Sequence, residues 1–459
     1  MARMTSDRPW HELDAHDWRE RIATGSATAV DGVRASLQRI DDLDDSLNAF
    51  SVVLADEALA AARTLDALPE DEHGPLHGVP IAIKEENDVA GCVTTFGTSA
   101  NRTPASADSH VVALLRKAGA IIIGKTRMPE FGAWPFTESA SGGITRNPVD
   151  PSRTPGGSSG GTAAAVASGM APAGIGGDGG GSIRIPSDRC GLFGLKPQRG
   201  RVSPAPYPHL WWALGTIGPL TKTVRDSALI YDVISGSTPT DLFTTEPIGS
   251  LVGSLERGPR LRIGWSIASG TPGLHSHPDN VAAVHRISEL LRSAGHTVVE
   301  YHPKHSDPTA AFVPQFFAGI RSEAQAVEDY SALEPRTRSV YRLGSWVTTA
   351  VRESAIRRGE RIAGQADRMF DDVDVLLTPT VADRPRPAGV LSGAGPVRAL
   401  ISSRPSIAYT AVWNVTGHPA ATVPAGLGTD GLPVSVQIVG PRNGEPRLIS
   451  LAAEIEASV

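Results

Sequence analysis

The residues of this sequence that could carry chemistry are serines held in two glycine-rich segments. One segment is Gly157-Ser158-Ser159-Gly160-Gly161, and the other runs from Gly174 to Ser182. Glycines lack a Cβ, so the backbone N–H groups of Gly179-Gly180-Gly181 can converge on one anion beside Ser182. Donors preorganised in this way form an oxyanion hole, each worth about 3 to 4 kcal/mol in the transition state of acyl transfer. The pattern therefore indicates serine-based acyl transfer, with a tight packing turn as the structural alternative.

Lys84 is the second candidate, in a chain with only six lysines. It follows the apolar run Val79 to Ile83, which predicts a buried strand that carries the amine to its mouth. Loss of water at such a position favours the neutral amine, which can act as a general base. The adjacent Glu85 and Glu86 favour the charged amine instead. The sequence therefore allows both a catalytic base and a paired structural lysine.

Two short motifs in these segments match known sequence patterns but lack the neighbouring secondary structure that those patterns require. Residues 157–161 satisfy G-x-S-x-G, the nucleophile elbow, but this motif requires a preceding strand and residues 147–155 are rich in proline. Residues 174–179 satisfy G-x-G-x-x-G, the dinucleotide fingerprint, but Pro186 and the run 191–194 interrupt the helix that it requires. We therefore expect neither an elbow nor a dinucleotide site.

Histidines are the remaining candidates for a metal centre. None has the i, i+4 helical spacing with a glutamate that zinc hydrolases use. We expect them to lie on solvated loops, and we predict no metal and no cofactor. They are His275, His277, His296, His302 and His305.

The composition is that of a globular chain. Its 459 residues are 40% hydrophobic and 20% charged, which excludes a disordered, collagen-like or coiled-coil protein. A net charge of -6 offers no basic surface for nucleic acid. No apolar run approaches the ~18 residues of a membrane span, and residues 1–21 lack the apolar stretch of a signal peptide. Cys92 and Cys190 alone cannot build a disulfide scaffold, which fits a reducing compartment. From these features together we expect a cytoplasmic protein with no nucleic-acid or membrane partner.

Apolar spacing predicts alternating helices and strands. Residues 18–63 have the spacing of two or three amphipathic helices. A helix at 109–118 between strands at 79–83 and 120–123 gives a βαβ rhythm, which indicates an α/β layer architecture. Further predictions are helices at 224–234 and 447–456 and strands at 261–265, 298–301, 375–377 and 433–439.

The glycine-rich segments are predicted as loops. Residues 139–161 show no apolar periodicity. The small residues of 162–169 predict a closely packed buried helix, and the glycines of 174–181 predict a second loop. One helix would then lie between two glycine-rich loops.

Longer stretches of the sequence resemble the amidase signature hydrolases. The match covers nearly the whole chain, weakly between residues 236 and 405, and its central glycine-serine block is long and specific. The matching stretches are Gly78-Val79-Pro80-Ile81-Ala82-Ile83-Lys84, residues 155–167, Gly177-Asp178-Gly179-Gly180-Gly181-Ser182-Ile183-Arg184, residues 190–197, Gly218-Pro219, Gly417-His418-Pro419-Ala420 and residues 432–437.

The resemblance implies a Ser-Ser-Lys triad that needs no histidine. Ser182 matches the nucleophile, Ser158 the bridging serine and Lys84 the base. In this mechanism neutral Lys84 takes a proton from Ser158, which takes one from Ser182, whose Oγ attacks the carbonyl carbon. Water then hydrolyses the acyl-enzyme. The resemblance also implies a cis peptide bond between Gly157 and Ser158.

Two departures from the family pattern lie beside these residues. Lys84 is followed by Glu85-Glu86-Asn87 where many members have Asp-Asn, and Gly179 stands where a threonine or isoleucine is common. Asp178 and Arg184 match structural positions that tie the loop down. The resemblance assigns the oxyanion hole to the backbone N–H groups of Gly179, Gly180, Gly181 and Ser182.

The implied fold class is α/β, with the amidase signature fold: a large mixed β-sheet of about eleven strands, covered by helices on both faces. On this fold, residues 1–65 form an N-terminal helical segment and residues 66–235 the amidase signature core with the catalytic loops. Residues 236–405 form a variable substrate-side region, and residues 406–459 the C-terminal strands and helix that complete a single large domain.

Aromatic residues in loops that approach the acyl pocket of the family indicate the substrate class. They favour an apolar or aryl substrate, with ordinary core packing as the alternative. Because family members cleave amides, anilides, esters and carbamates, we predict a hydrolase of hydrophobic or aryl amides and extend this expectation to esters and urethane-type carbamates. The four predicted substrate-binding residues are Trp134, Phe136, Trp211 and Trp212.

The alternative function is the A-type subunit of a glutamine-dependent tRNA amidotransferase. Trp134-Pro135-Phe136 argues against it because such subunits carry small residues there, and residues 342–368 lack their tyrosine-rich stretch. Intact Lys84, Ser158 and Ser182 argue against a non-catalytic binding relative. The expected partner is a small-molecule amide, ester or carbamate substrate, and the expected assembly is a monomer or homodimer.

Overall fold

A computed structural model describes residues 8–256, 258–271, 273–303 and 306–459. Of the predicted site candidates, His305 lies outside the described residues. The strands are β1 (Phe50–Val53), β2 (Pro80–Lys84), β3 (Ile121–Thr126), β4 (Glu138–Ser139), β5 (Gly143–Ile144), β6 (Ala173–Asp178), β7 (Phe193–Lys196), β8 (Thr216–Thr221), β9 (Arg262–Trp265), β10 (Thr297–Glu300), β11 (Val375–Pro379), β12 (Ala420–Leu427) and β13 (Pro433–Val439).

Eleven of these strands form one mixed sheet in the order β1-β3-β2-β6-β8-β7-β12-β13-β11-β9-β10. β2 runs parallel to both β3 and β6. The next pairs along the sheet, from β6 to β8 and on to β11, are antiparallel. The large mixed sheet that the resemblance implied is therefore confirmed.

Helices cover both faces of the sheet. Along β2, Ile81 and Ile83 belong to one hydrophobic cluster, whereas Ala82 between them belongs to another, because successive side chains of a strand point to opposite faces. The helices are α1 (Ala15–Ala23), α2 (Ala29–Leu47), α3 (Ala55–Asp66), α4 (His110–Lys117), α5 (Gly160–Ala167), α6 (Arg184–Cys190), α7 (Val224–Ile234), α8 (Pro278–Ser293), α9 (Thr309–Ala326), α10 (Pro335–Leu343), α11 (Thr349–Met369), α12 (Pro396–Ile407), α13 (Ala411–Thr416) and α14 (Glu445–Glu456).

The predicted second glycine-rich loop is wrong over most of its length. Residues 173–178 form β6, a fully buried strand in the interior of the sheet, and only the residues after Asp178 form a loop. The glycines of β6 let α5 and its preceding turn lie directly on the strand. A Cβ on Gly174 would come within 2.5 Å of Thr162 Cγ2, and one on Gly176 within 2.7 Å of Ser159 Oγ. Close packing, rather than a turn, explains this run of glycines.

The other predicted elements agree with the structure with local differences. The predicted helices at 109–118, 162–169, 224–234 and 447–456 appear as α4, α5, α7 and α14. The region 18–63 contains α1 to α3 but also β1, which pairs with β3. The predicted loop 139–161 contains part of the short hairpin of β4 and β5. Within the described ranges, no helix is both long and apolar enough to span a membrane.

Candidate active site

Lys84 is the last residue of β2, a strand hydrogen-bonded on both sides. Its side chain is only 1% exposed, as the apolar run before it predicted. The Lys84 Nζ donates a hydrogen bond to Ser158 Oγ over 2.8 Å and lies 3.1 Å from Glu86 Oε1. The structure thus has features of both alternatives for Lys84, the base and the paired lysine, because the amine contacts a serine hydroxyl and also faces a carboxylate.

Ser158 lies in the turn that leads into α5, and its peptide bond with Gly157 is cis. The turn rests on the backbone of residues 134–136, where a Cβ on Gly157 would come within 2.6 Å of Phe136 N. The adjacent Ser159 points the other way, into β6, where its hydroxyl donates to Gly177 O over 3.2 Å and accepts from Gly177 N–H over 3.3 Å. Residues 147–158 before it are not part of a strand, so the structure supports the rejection of an elbow.

Ser182 lies in the turn between β6 and α6 and is 9% exposed. Its carbonyl oxygen accepts a hydrogen bond from the Ser159 N–H over 3.4 Å, which joins the two serine-bearing turns. Among the described residues, no hydrogen bond links the Ser158 and Ser182 hydroxyls. The structure therefore brings Lys84 and Ser158 into contact and holds Ser182 on the neighbouring turn.

Of the four backbone N–H groups that the resemblance assigned to an oxyanion hole, one already has a hydrogen-bond partner. The Gly181 N–H donates to Asp178 Oδ1 over 2.7 Å and is therefore occupied. In the part of the chain that the structure describes, no hydrogen bond uses the N–H of Gly179, Gly180 or Ser182. These three groups are the remaining candidates for an oxyanion hole.

A buried ion pair fixes this turn. Arg184 Nε lies 3.0 Å from Asp178 Oδ2 and its Nη2 lies 2.9 Å from Oδ1, with both side chains inaccessible to solvent. Asn414 Nδ2 donates to Asp178 Oδ1 over 2.8 Å. Burial alone would raise the pKa of Asp178, but the guanidinium of Arg184 and the amide of Asn414 hold it below its usual range. Asp178 is therefore an ionised anchor for the Gly181 and Ile183 N–H groups.

Ser182 opens onto a cavity of about 470 Å³, which we call the aromatic cavity. Of the four predicted substrate-binding residues, Trp134 and Trp211 line it. The Trp211 ring lies 5.5 Å from the Phe316 ring and the Trp134 ring 6.2 Å from it. Sequence reasoning missed Phe312, Phe316 and Phe317 of α9 and Trp413 of α13, which also line it. The i, i+4 spacing of Phe312 and Phe316 is the signal that could have found this face.

Two of the predicted substrate-binding residues lie outside the aromatic cavity. Phe136 stacks beneath Trp134 at 5.9 Å and supports it from behind. Trp212 stacks on His209 at 4.2 Å, and the Arg352 guanidinium lies 3.6 Å from its ring centre. Trp211 and Trp212 both have left-handed backbone, with φ of 47° and 60°. The two neighbouring indoles contact different parts of the protein.

A second, smaller cavity of about 30 Å³ lies on the Lys84 side of the site, and we call it the acidic cavity. Its lining residues include Lys84, Ser158 and the acidic residues Glu86, Asp178 and Glu323. It shares Gly132 and Trp211 with the aromatic cavity. The Lys84–Ser158 pair thus lies between a large apolar space and a small charged one.

Among the described residues, the candidate histidines form no cluster that could hold a metal ion. His296 accepts the Leu261 N–H on Nδ1 over 3.0 Å, and its Nε2 lies 3.0 Å from Glu454 Oε2. His296 is thus buried in packing, contrary to the expectation of a solvated loop. Within the described ranges, no group of three or more His, Cys, Asp or Glu residues could hold a metal ion.

Known sequences resemble the chain over its length. A family model described as Amidase matches residues 31–449. The protein named "Putative amidase AmiB2" of Mycobacterium tuberculosis is 46% identical over 445 residues, which cover 95% of this chain and 94% of that protein. The A-type subunit of the glutamyl-tRNA(Gln) amidotransferase of Synechococcus is 33% identical over 482 residues, with 96% of both chains covered.

Solved structures share the fold. A 6-aminohexanoate cyclic dimer hydrolase superposes with a TM-score of 0.91 at 27% identity, covering 98% of this chain and 97% of that one. A bacterial aryl acylamidase of the amidase signature family superposes with a TM-score of 0.88 at 25% identity, with the same coverage.

Proposed function

The chain belongs to the amidase family of C–N hydrolases, and we propose that it cleaves hydrophobic or aryl amides through an acyl-enzyme on Ser182. The observation that carries the proposal is the 2.8 Å hydrogen bond from Lys84 to Ser158 beside Ser182. In this proposal Lys84 is the base and Ser158 the bridging hydroxyl, next to the Ser182 that lines the aromatic cavity. We extend the proposed substrates to esters and urethane-type carbamates, and we propose that the protein is cytoplasmic.

The proposed reaction begins with a proton relay. Neutral Lys84 accepts the Ser158 proton as Ser158 accepts that of Ser182, and Ser182 Oγ bonds to the carbonyl carbon. The Ser158–Ser182 hydrogen bond forms when substrate binds, since catalytic hydrogen bonds commonly tighten in the complex. The resulting oxyanion lies against the N–H groups of Gly179, Gly180 and Ser182.

Collapse of this intermediate breaks the C–N bond, and the relay returns the proton from Lys84 to the leaving nitrogen. Water then attacks the acyl-enzyme, gives one proton to the relay and releases the carboxylic acid, while Ser182 regains its hydroxyl proton. The leaving nitrogen must come close to Ser158 to receive its proton. The acyl group is therefore assigned to the aromatic cavity, which Ser182 lines.

The aromatic cavity supports the substrate class. Its volume of about 470 Å³ is in the range of small-molecule sites, and indole and phenyl rings form much of its wall. Aromatic walls favour aryl groups through stacked and edge-to-face contacts. We therefore propose aryl or large apolar acyl groups rather than short aliphatic ones.

Labelling with a fluorophosphonate, followed by peptide mapping, tests the nucleophile. We expect modification of Ser182, none in Ser182→Ala and strongly slowed modification in Lys84→Ala. Modification at Ser159 would contradict the proposal and support the elbow instead.

A panel of aryl-acyl and short aliphatic amides, p-nitrophenyl esters and aryl carbamates tests the substrate class. For an aryl-acyl amide we expect Trp211→Ala to raise KM about tenfold, the loss of one good ring contact of roughly 1.4 kcal/mol. The neighbouring Trp212→Ala is the matched control and should leave KM nearly unchanged. Preference for short aliphatic amides would overturn the substrate class.

The amidotransferase alternative is separated from this proposal by purifying the chain alone. Hydrolysis of amides without a partner protein supports the amidase. Activity that appears only on adding partner subunits and tRNA would support the alternative, which rests on the 33% identity to the Synechococcus protein.

A further inference from the structure

Glu86 faces the proposed base from the turn after β2. Its Oε1 lies 3.1 Å from Lys84 Nζ, and its side chain is 13% exposed, compared with 1% for Lys84. The carboxylate lies over Gly177 of β6, where any side chain would collide with it. The fold thus leaves space for an acid at this position.

A second carboxylate reaches the same cavity from α9. Phe312, Phe316, Gly319 and Glu323 follow one another at intervals of three or four residues, so they share one face of α9. Phe312 and Phe316 line the aromatic cavity, and Glu323 lines the acidic cavity. One face of α9 therefore contributes lining residues to both the aromatic cavity and the acidic cavity.

The titratable groups that line the acidic cavity are Lys84, Glu86, Asp178 and Glu323. Asp178 is already neutralised by Arg184 at 2.9 Å. Burial, and then the charge of Glu86, raise the pKa of Glu323 to about 7. Burial, and then the charges of Asp88 and Glu323, raise the pKa of the Tyr207 hydroxyl above its usual range. The cavity therefore holds one cation, one carboxylate that lies 3.1 Å from it and a second carboxyl that ionises near neutral pH.

We propose that Glu86, supported by Glu323, is a positioning residue that holds the Lys84 amine against Ser158 and sets the pH range in which this amine serves as a base. This inference rests on the proposed function. Glu86 acts through Lys84 and need not touch the substrate, and Glu323 acts through Glu86.

The effect of Glu86 has two opposite parts. When the Ser182 proton has moved through Ser158, Lys84 becomes an ammonium, and the adjacent carboxylate stabilises it in the transition state. The same attraction favours the ammonium in the resting enzyme, where it cannot accept a proton. Glu86 should therefore increase the maximal rate and move the onset of activity to higher pH.

The test is the pH profile of kcat/KM for wild type, Glu86→Gln and Glu323→Gln. Glu86→Gln should move the midpoint of the rising limb to lower pH by about one unit and lower the plateau about tenfold or more. Glu323→Gln should move the midpoint the same way by less, because Glu323 acts through Glu86 and is charged only above about pH 7. Glu353→Gln, an exposed carboxylate on α11, is the control and should move neither.

The rate of fluorophosphonate labelling of Ser182 against pH gives a second readout that depends on no particular substrate. Thermal unfolding of each variant checks folding, and a folded Glu323→Gln keeps the test valid if Glu86→Gln does not fold. Wild type that labels normally, with variants whose plateau falls but whose midpoint stays in place, would show that the carboxylates have a structural role only. Wild type that neither labels nor hydrolyses amides would overturn the proposed function and this inference together.

Discussion

The indole of Trp211 lies against Gly319 of α9 so closely that a Cβ at Gly319 would come within 3.0 Å of Trp211 Cγ. The same ring also lies 3.3 Å from where a Cβ of Gly179 would be. The ring thus occupies the space that a side chain at Gly179, where the family commonly has threonine or isoleucine, would need. This arrangement fixes one wall of both cavities.

Gly319→Ala should therefore change catalysis more than stability. Alanine favours a helix over glycine by about 1 kcal/mol, which offsets part of the clash. We expect the displaced ring to raise KM for aryl-acyl amides several-fold, with a small change in the midpoint of thermal unfolding. Gly364→Ala on α11 is the matched control, because a Cβ there meets no atom within 4 Å. It should stabilise the protein by up to about 1 kcal/mol and leave KM unchanged, and an unchanged KM in Gly319→Ala as well would show that Trp211 does not shape the substrate site.

Ser158→Ala tests the bridging hydroxyl against its neighbour. Removal of Ser158 Oγ takes away the hydrogen-bond partner of Lys84, so kcat should fall about 10²- to 10⁴-fold, as for the loss of a general base. Ser159→Ala removes a hydroxyl that contacts only the backbone of Gly177 among the hydrogen bonds described, so its effect on kcat should be much smaller. The measurement is the steady-state rate for one chromogenic ester or amide. A larger loss in Ser159→Ala than in Ser158→Ala would contradict the proposed relay.

Much of the fold followed from patterns in the sequence. The apolar run at residues 79–83 predicts a buried strand, and the helical spacing of residues 224–234 predicts a helix. The structure has β2 and α7 at these places. β6 could not be recognised in this way, because its glycines carry no side chains to show a period of two. Their role depends on α5 lying against them, which is a tertiary contact.

The candidate site was predictable in type but not in its details. Lys84 and Ser158 came from motif and resemblance, and the structure joins them. Glu323 could not be found, because it is distant in sequence and reaches the cavity only through the packing of α9. Trp211 and Trp212 were both predicted to bind substrate because they lie in a loop that approaches the acyl pocket of the family, whereas two left-handed residues in succession separate their rings.

Asp178→Asn should destabilise the turn that carries Ser182. Breaking a buried ion pair leaves Arg184 without its charge partner, which typically costs about 3 to 5 kcal/mol. Because the pKa of Asp178 is lower in the folded chain than in the unfolded one, its contribution to stability is present above about pH 4 and is lost as the pH falls further. Urea unfolding at pH 7 measures the difference. Asp430→Asn, which breaks a more exposed pair with Arg384, should cost about 1 kcal/mol or less, and an equal cost in both variants would refute a special role for Asp178.

Glu130 makes stability depend on pH in the opposite direction. It is 1% exposed, and both of its carboxylate oxygens accept the Glu334 N–H, over 3.2 and 3.1 Å. Burial, and then the charge of Glu334, raise the pKa of Glu130 to about 7 from an ordinary value of 4.5. Between these two values the folded chain keeps a proton that the unfolded chain has released. The free energy of unfolding therefore falls as the pH rises through this window, by roughly 3 kcal/mol for this group alone.

Glu130→Gln keeps an acceptor for the Glu334 N–H but cannot ionise. Its free energy of unfolding, measured by urea titration at pH 5 and pH 8, should therefore fall less across this interval than that of wild type. The difference should appear mainly at pH 8, where wild type must keep a buried charge beside Glu334. Glu353→Gln removes an exposed carboxylate and should reproduce the wild-type slope. If Glu130→Gln also reproduces that slope, Glu130 is ionised in the folded protein across the whole range, because only an equal proton count in both states gives no dependence on pH.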